Sequence, residues 1–344
     1  MYESFYGLKE KPFELHPDPD YLYMSREHEK TYVHLGYAIR ENKGFAVITG
    51  EIGSGKTTLI NYLLNKIGEQ IQIGLVNNTN ILPSEFLWMI CQEFGLDPRV
   101  NDKAELIGIF SEFLIDRFAA GGRVVLIVDE AQNLTNDTLE EIRMLSNIET
   151  QKHHLIQIIL VGQPELKLKL QQRNLKQFVQ RITVHCHLKG LEKDEVKEYI
   201  NHRLEVGGCN RFDIFDKKVV ERIALYSKGI PRLINILCDL SLVCGFADSL
   251  ETIDVLTLDK VHEELKALGI FTDIDAKPSA NPEPEPPKSS VIASGHSNGH
   301  FKILQAKVQL LEAQVQLLDE KMSDINKKLE FLTKKTLGTR QNRN

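Results

Sequence analysis

The segment that most restricts how this chain can fold is Gly50-Glu51-Ile52-Gly53-Ser54-Gly55-Lys56-Thr57. It meets GxxxxGK[ST] at every fixed position, a pattern that works only between a strand and a helix. Both flanks read that way. Residues 45–49 are a short apolar run, and past Thr58 the side chains Leu59, Leu63, Leu64 and Ile67 share one face at helical spacing. The glycines let the backbone curl until successive N–H groups point inward, and the helix start adds partial positive charge. Residues 50–58 therefore read as a phosphate cradle. Lys56 is placed to reach the β- and γ-phosphates of a nucleotide such as ATP, and the Thr57 hydroxyl to ligate Mg²⁺.

The rest of the first half sets this loop in a repeating frame. Residues 26–41 read as a helix leading into the first strand. Further strand-like runs fall at 71–76, 123–128, 155–161 and 182–187, with helical patterns at 84–94, 103–118 and 138–148 between them. Short apolar strands alternating with helices predict an α/β fold with a parallel sheet. The run at 123–128 ends on Asp129-Glu130. A buried strand that delivers two adjacent carboxylates beside a phosphate cradle suits phosphoryl chemistry. Asp129 would hold Mg²⁺ through its shell, and Glu130 would orient the attacking water. A nucleotide kinase more often lacks that Glu, so the pair points to hydrolysis.

Past residue 188 the strand signal stops, and 193–206, 216–227, 231–246 and 257–268 all read as helices. An all-helical piece after an α/β piece resembles a lid. A Pro-rich stretch with KPSANPEPEPPKSS follows; it is too poor in large apolar residues to form a core and reads as a linker. Leu304, Val308, Leu311, Val315, Leu318, Met322, Ile325, Leu329 and Leu332 then alternate by four and three, a heptad seam. Val at a with Leu at d favours two parallel strands, and a helix docked on the globular body is the competing reading. The seam leaves open whether it pairs with itself or with a foreign helix. The expected boundaries are 1–188 for an α/β core, 189–270 for a helical lid, 271–300 for a linker, 301–335 for a coiled-coil helix and 336–344 for a disordered tail.

A net charge of -6 argues against a general nucleic-acid polycation. The five cysteines form no CxxC pair and fit free thiols better than a disulfide framework. Cys186 lies between His185 and His187, but their alternation in a β-like run favours strand residues over a metal site. The first twenty residues lack a secretory pattern, and no apolar run nears the roughly 18 residues of a membrane helix. A cytoplasmic protein, meeting a membrane only through a partner, is expected.

Several motifs together resemble one family. They are FYGLKEKPFELHPDPDYLYMSREHEKTYVHLGYAI, GEIGSGKTT, VDEAQNL with LEEIRMLSNIET, LVGQPEL and GIPRLIN. They look like the AAA+ ATPases of the ExeA, or general secretion pathway A, type, whose motifs also occur in cytoplasmic ATPases of exosortase-associated and polysaccharide-export loci. The resemblance spans about residues 1–270 and reaches, more loosely, the TniB and MuB transposition helpers. It implies an AAA+ P-loop fold, ATP hydrolysis with Mg²⁺, and a homo-oligomeric ring, commonly a hexamer. It places Gln163 at sensor 1, Arg181 at the arginine finger with Arg173 as competitor, and Arg232 at sensor 2 in the lid. It also implies work for a cell-envelope secretion or exopolysaccharide-export system through a membrane-located partner. The secretion-type membrane helix and peptidoglycan-binding domain are not expected after this ATPase. A DNA-bound transposition helper and a nucleotide-switched scaffold are the alternative readings.

Overall fold

Five short apolar runs become five parallel strands: β1 (Phe45–Gly50), β2 (Ile71–Val76), β3 (Arg123–Val128), β4 (Ile156–Gly162) and β5 (Ile182–Leu188). The structure is a computed structural model that describes residues 2–271 apart from 17, 69, 78, 80, 99–101, 151–152 and 210. The expected linker from 272 onward, the coiled-coil helix and the tail lie outside the described residues. The strand order is β2-β3-β4-β1-β5, with every neighbouring pair parallel. The three central strands are buried almost throughout, which explains their continuous apolar runs. The edges β2 and β5 are only partly covered. In β5, Cys186 is buried while His185 is exposed, so the two project to opposite sides of the sheet.

Alternation along the central strands feeds two cores. Phe45 and Val47 face one side with Val124, Leu126, Ile156 and Ile158. There they meet α4 (Pro83–Glu93), α5 (Lys103–Ala119), α6 (Asn136–Leu145), α7 (Pro164–Leu170) and α8 (Lys176–Val179). Ala46 and Ile48 face the other side with Val125, Ile127, Ile159 and Val161. That side is closed by α2 (Arg26–Glu41) and α3 (Lys56–Lys66), both preceded in the chain by the single turn α1 (Glu3–Tyr6). Several helix starts carry their own stop signals. Asp102 accepts from the Ala104 and Glu105 N–H groups, and Thr135 from the Thr138 N–H.

The helical region consists of α9 (Lys193–Val206), α10 (Lys217–Ser227), α11 (Pro231–Ala247) and α12 (Val255–Ala267), which share a third core. Both regions belong to one compact unit, Met1–Ile274. The first residues of the chain are not part of the α/β cores. Tyr2, Tyr6, Leu8 and Phe13 are buried among the lid helices instead. The Tyr6 hydroxyl donates to Leu250 O at 3.0 Å, and Gly245 in α11 makes room for it, since a Cβ there would lie 2.5 Å from that hydroxyl. Arg203 of α9 completes the attachment. Its guanidinium is buried, donates to the carbonyls of Pro12 and of Glu14 (3.0 Å), and stacks 4.4 Å from the Tyr21 ring centre. The expectation that residues 1–188 form one piece therefore meets a crossing of the chain. Contacts between residues 189 to 244 positions apart leave no mark on local periodicity.

Among the described residues no helix is long and apolar enough to cross a membrane. Phe13 is 1% exposed and meets Phe215 edge-on at 6.1 Å. Phe13→Ala should cost about 3–5 kcal/mol, read as an earlier midpoint in denaturant unfolding.

Candidate functional site

The strand order brings three chain ends together. β4 lies between β1 and β3, so Gly50, Gly162-Gln163 and Asp129-Glu130 emerge side by side at the carboxyl edge of the sheet. Between β1 and α3 the chain turns through Gly53 (φ 79°) and Gly55 (φ 93°), left-handed conformations that favour glycine. Space makes the same demand. A Cβ at Gly53 would lie 2.2 Å from Arg232 Cβ, and one at Gly55 would lie 2.7 Å from His28 Nε2. Lys56, the first residue of α3, folds back over the loop it follows. Its Nζ donates to Gly50 O at 2.8 Å and to Glu51 O at 2.9 Å. Burial pulls the Lys56 ammonium below the ordinary lysine range, and the Glu130 and Asp129 carboxylates oppose that shift.

Thr57 Oγ1 donates to Asp129 Oδ2 at 3.1 Å, joining the helix start to the end of β3. Asp129 is buried, and its Oδ1 accepts the Glu130 N–H at 2.8 Å. A hydroxyl and a carboxylate oxygen within contact of each other are hard ligands at close spacing. They fit a Mg²⁺ ion that takes its remaining oxygens from water and phosphate. Among the described residues no group of three His, Cys, Asp or Glu side chains could hold a metal. Glu130 itself has φ 50°, the left-handed region for a non-glycine residue. Its carbonyl accepts from Thr79 Oγ1 at 3.1 Å, and its carboxylate Oε2 accepts from Gln163 Nε2 at 3.2 Å and from Gln132 Nε2.

A cleft of about 270 Å³ opens over this edge. Its floor is Gly53, Gly55, Lys56, Thr57 and Thr58, with Glu130 and Gln163 at one end. The lid contributes Leu191, Tyr199, Arg203, Pro231, Arg232 and Asn235, and the segment from Glu14 to Tyr23 closes the remaining side. Arg232 sits in the first turn of α11 behind Pro231 and is tied to the loop by its own N–H, which donates to Gly53 O at 3.2 Å. Glu51 and Ile52 are exposed at the loop tip, while Ser54 is buried and its Oγ finds no hydrogen-bond partner among the described residues. Both candidates for the arginine finger, Arg181 and Arg173, stand outside the lining of the cleft; Arg181 is the better placed in the chain. It precedes β5, at the amino end of the strands, and its Nη1 donates to Ser146 Oγ at 2.9 Å. Arg173 is exposed in the turn Arg173–Leu175.

Two neighbours of the site lie within the motifs quoted above, and the resemblance assigns neither of them a catalytic role. One is Gln132. The other is His28, which lies 3% exposed in the first turn of α2 with Nδ1 2.6 Å from Ser25 Oγ. Its other nitrogen faces Gly55, so the ring supports the loop from beneath. Burial lowers the His28 pKa, and a hydrogen bond with the Ser54 backbone works against that lowering. The same helix start reaches the lid, because Arg26 N–H donates to Glu195 Oε1 of α9 at 2.9 Å.

A parallel sheet in this order, with a P-loop on β1, paired carboxylates after β3 and a helical lid, defines an AAA+ protein, and residues 39–170 match the family model for the AAA domain. Within that class the chain is general secretion pathway protein A-like. It is 41% identical to General secretion pathway protein A of Aeromonas hydrophila over 248 residues, which are 72% of this chain. The chain spans 45% of that relative's length. Among solved structures, the ORC2 protein of Aeropyrum pernix is similar at a TM-score of 0.55 and 18% identity, over 74% of this chain and 72% of that one. Cdc6p of Pyrobaculum aerophilum is similar at 0.56 and 17%, over 74% and 70%. At these identities the likeness to the two structures concerns the fold.

The lowered pKa of His28 has a definite sign for stability. The folded state disfavours the charged ring, whereas the unfolded chain takes up a proton near pH 6.5. The contribution is thus complete above about pH 6.5 and is lost as the pH falls below it, by at most about 1.4 kcal/mol per unit. Between pH 7 and pH 5 the thermal midpoint of the wild type should fall further than that of His28→Gln, measured by calorimetry in matched buffers.

Proposed function

We propose that this chain binds ATP with Mg²⁺, hydrolyses it, and uses the energy to drive a cell-envelope secretion or exopolysaccharide-export system. The observation that carries the enzymatic part is the Thr57–Asp129 contact at 3.1 Å, beside the Lys56 ammonium and one residue from Glu130. On this reading Lys56 exchanges its two loop carbonyls for phosphate oxygens, and the N–H groups of residues 50–58 supply further donors. Thr57 and Asp129 hold the Mg²⁺, which when bound neutralises charge on the β- and γ-phosphates. Glu130 orients the water for in-line attack, and Gln163 fixes the water or the γ-phosphate from the neighbouring strand. Arg232, already fastened to Gly53, links the state of the phosphates to the lid.

Arg181 cannot serve the cleft of its own chain from the amino edge of the sheet. In a ring of like subunits it serves the neighbour's cleft, with Arg173 as the alternative. A finger supplied in trans typically contributes about 10³-fold or more to turnover. The secretion role is supported by similarity to General secretion pathway protein A, and it concerns the stretch of that relative this chain matches. It implies a cytoplasmic protein held to the membrane through a partner, and co-purification with an envelope component tests that part.

Lys56→Ala should abolish ATP binding by calorimetry. Glu130→Gln should retain it while turnover falls by about 100-fold or more; normal turnover in that variant would remove Glu130 from the chemistry. Mixing Arg181→Ala with Lys56→Ala protein should restore part of the activity by pairing intact half-sites. No recovery, with both variants oligomeric by mass measurement, would remove the finger from Arg181.

A further inference from the structure

Gln132 occupies the turn Ala131–Asn133 directly after the catalytic pair, and both ends of its side chain are engaged. Its Oε1 accepts the Gln163 N–H at 3.0 Å, and its Nε2 donates to Glu130 Oε2. The amide has one orientation that satisfies both contacts. The Gln163 backbone N–H can only donate, so the oxygen must face it and the NH₂ must face the carboxylate. Room for this amide comes from Gly162, where a Cβ would lie 2.8 Å from Gln132 Oε1. The turn itself is anchored, since Lys169 Nζ of α7 donates to the carbonyls of Gln132 and Leu134, each at 2.5 Å. Gln163 closes the ring by donating its own side-chain amide to the same Glu130 oxygen at 3.2 Å.

We propose that Gln132 is a positioning residue for the reaction. Through its amide it registers the Glu130 carboxylate against the end of β4. The proposal rests on the hydrolytic reading above. Glu130 is exposed to the cleft, and nothing in a left-handed turn by itself selects one rotamer for its side chain. Two amide donors on Oε2 do select one, and they leave Oε1 free to accept from a water. Because the Gln132 oxygen is bound to the backbone of Gln163, a shift at the end of β4 moves Glu130 with it. The residue that senses the phosphate and the residue that aligns the water thus share one hydrogen-bonded ring with Gln132 as its middle member.

The test compares steady-state ATP turnover and calorimetric ATP binding in the wild type, Gln132→Ala and Gln132→Glu. Gln132→Ala removes both contacts. Gln132→Glu keeps length and acceptor but sets a second carboxylate against Glu130. Both variants should lose about 10- to 100-fold in kcat, while KM and ATP affinity stay within about threefold of the wild type. Gln132→Glu should regain turnover relative to Gln132→Ala as the pH falls, because a protonated carboxyl recovers a donor for Glu130. Lys56, Asp129 and Glu165 are common to both variants, so a difference between their pH profiles reports position 132. The proposal is overturned by a kcat within about twofold of the wild type in both variants. It is equally overturned by loss of ATP binding in step with kcat, or by identical pH profiles. A wild type without turnover removes the hydrolytic reading itself, whereas an active wild type with unaffected variants removes Gln132 alone.

Discussion

Parallel alignment of five strands is the constraint on which the rest of the molecule depends. It sends every strand's carboxyl end to one edge, and with neighbours about 4.8 Å apart, residues that follow adjacent strands become neighbours whatever their distance in sequence. Because β4 is inserted between β1 and β3, the phosphate loop and the carboxylate pair are separated by one strand, and Gln163 fills that interval. The cradle, the carboxylates and the polar amide between them are thus consequences of strand order. Arg181 follows from the same rule read at the opposite edge.

Electrostatics within the loop is balanced by groups of the protein itself. The Lys56 ammonium rests on two carbonyls of its own loop, and Asp129 accepts from Thr57 and from the Glu130 backbone. These contacts fix the shape of the loop, and on the proposed reading a phosphate enters it by replacing them. Binding at such a site is an exchange of hydrogen bonds, with affinity arising from the difference between an internal carbonyl and a charged phosphate oxygen.

Local pattern made much of this legible. The runs at 71–76 and 123–128 coincide with β2 and β3, and 193–206 with α9, since a buried strand or an amphipathic helix writes its period into consecutive residues. The short helices α7 and α8 left no such record, with only seven and four residues to show a period. Pairings across the chain were equally silent. Tyr6 with Gly245 and Arg203 with Pro12 depend on which surfaces meet after folding. At the site, the loop and the carboxylates stand in fixed spacings that chemistry requires. His28 and Gln132 lie within the wider motifs of the resemblance, and the folded geometry shows what each of them contacts.

The Arg203 attachment has a thermodynamic corollary. One guanidinium holds the carbonyls of Pro12 and Glu14 and stacks on Tyr21, and the same arginine lines the nucleotide cleft. The segment from Glu14 to Tyr23 and the lid helix α9 are therefore fastened at a point on the wall of that cleft. Free-energy coupling of this kind runs equally in both directions. A ligand that tightens the cleft tightens the grip on that segment, and a pull that peels the segment away loosens the ligand by the same factor. The cleft is in that sense a tension gauge for the stretch of chain draped across it.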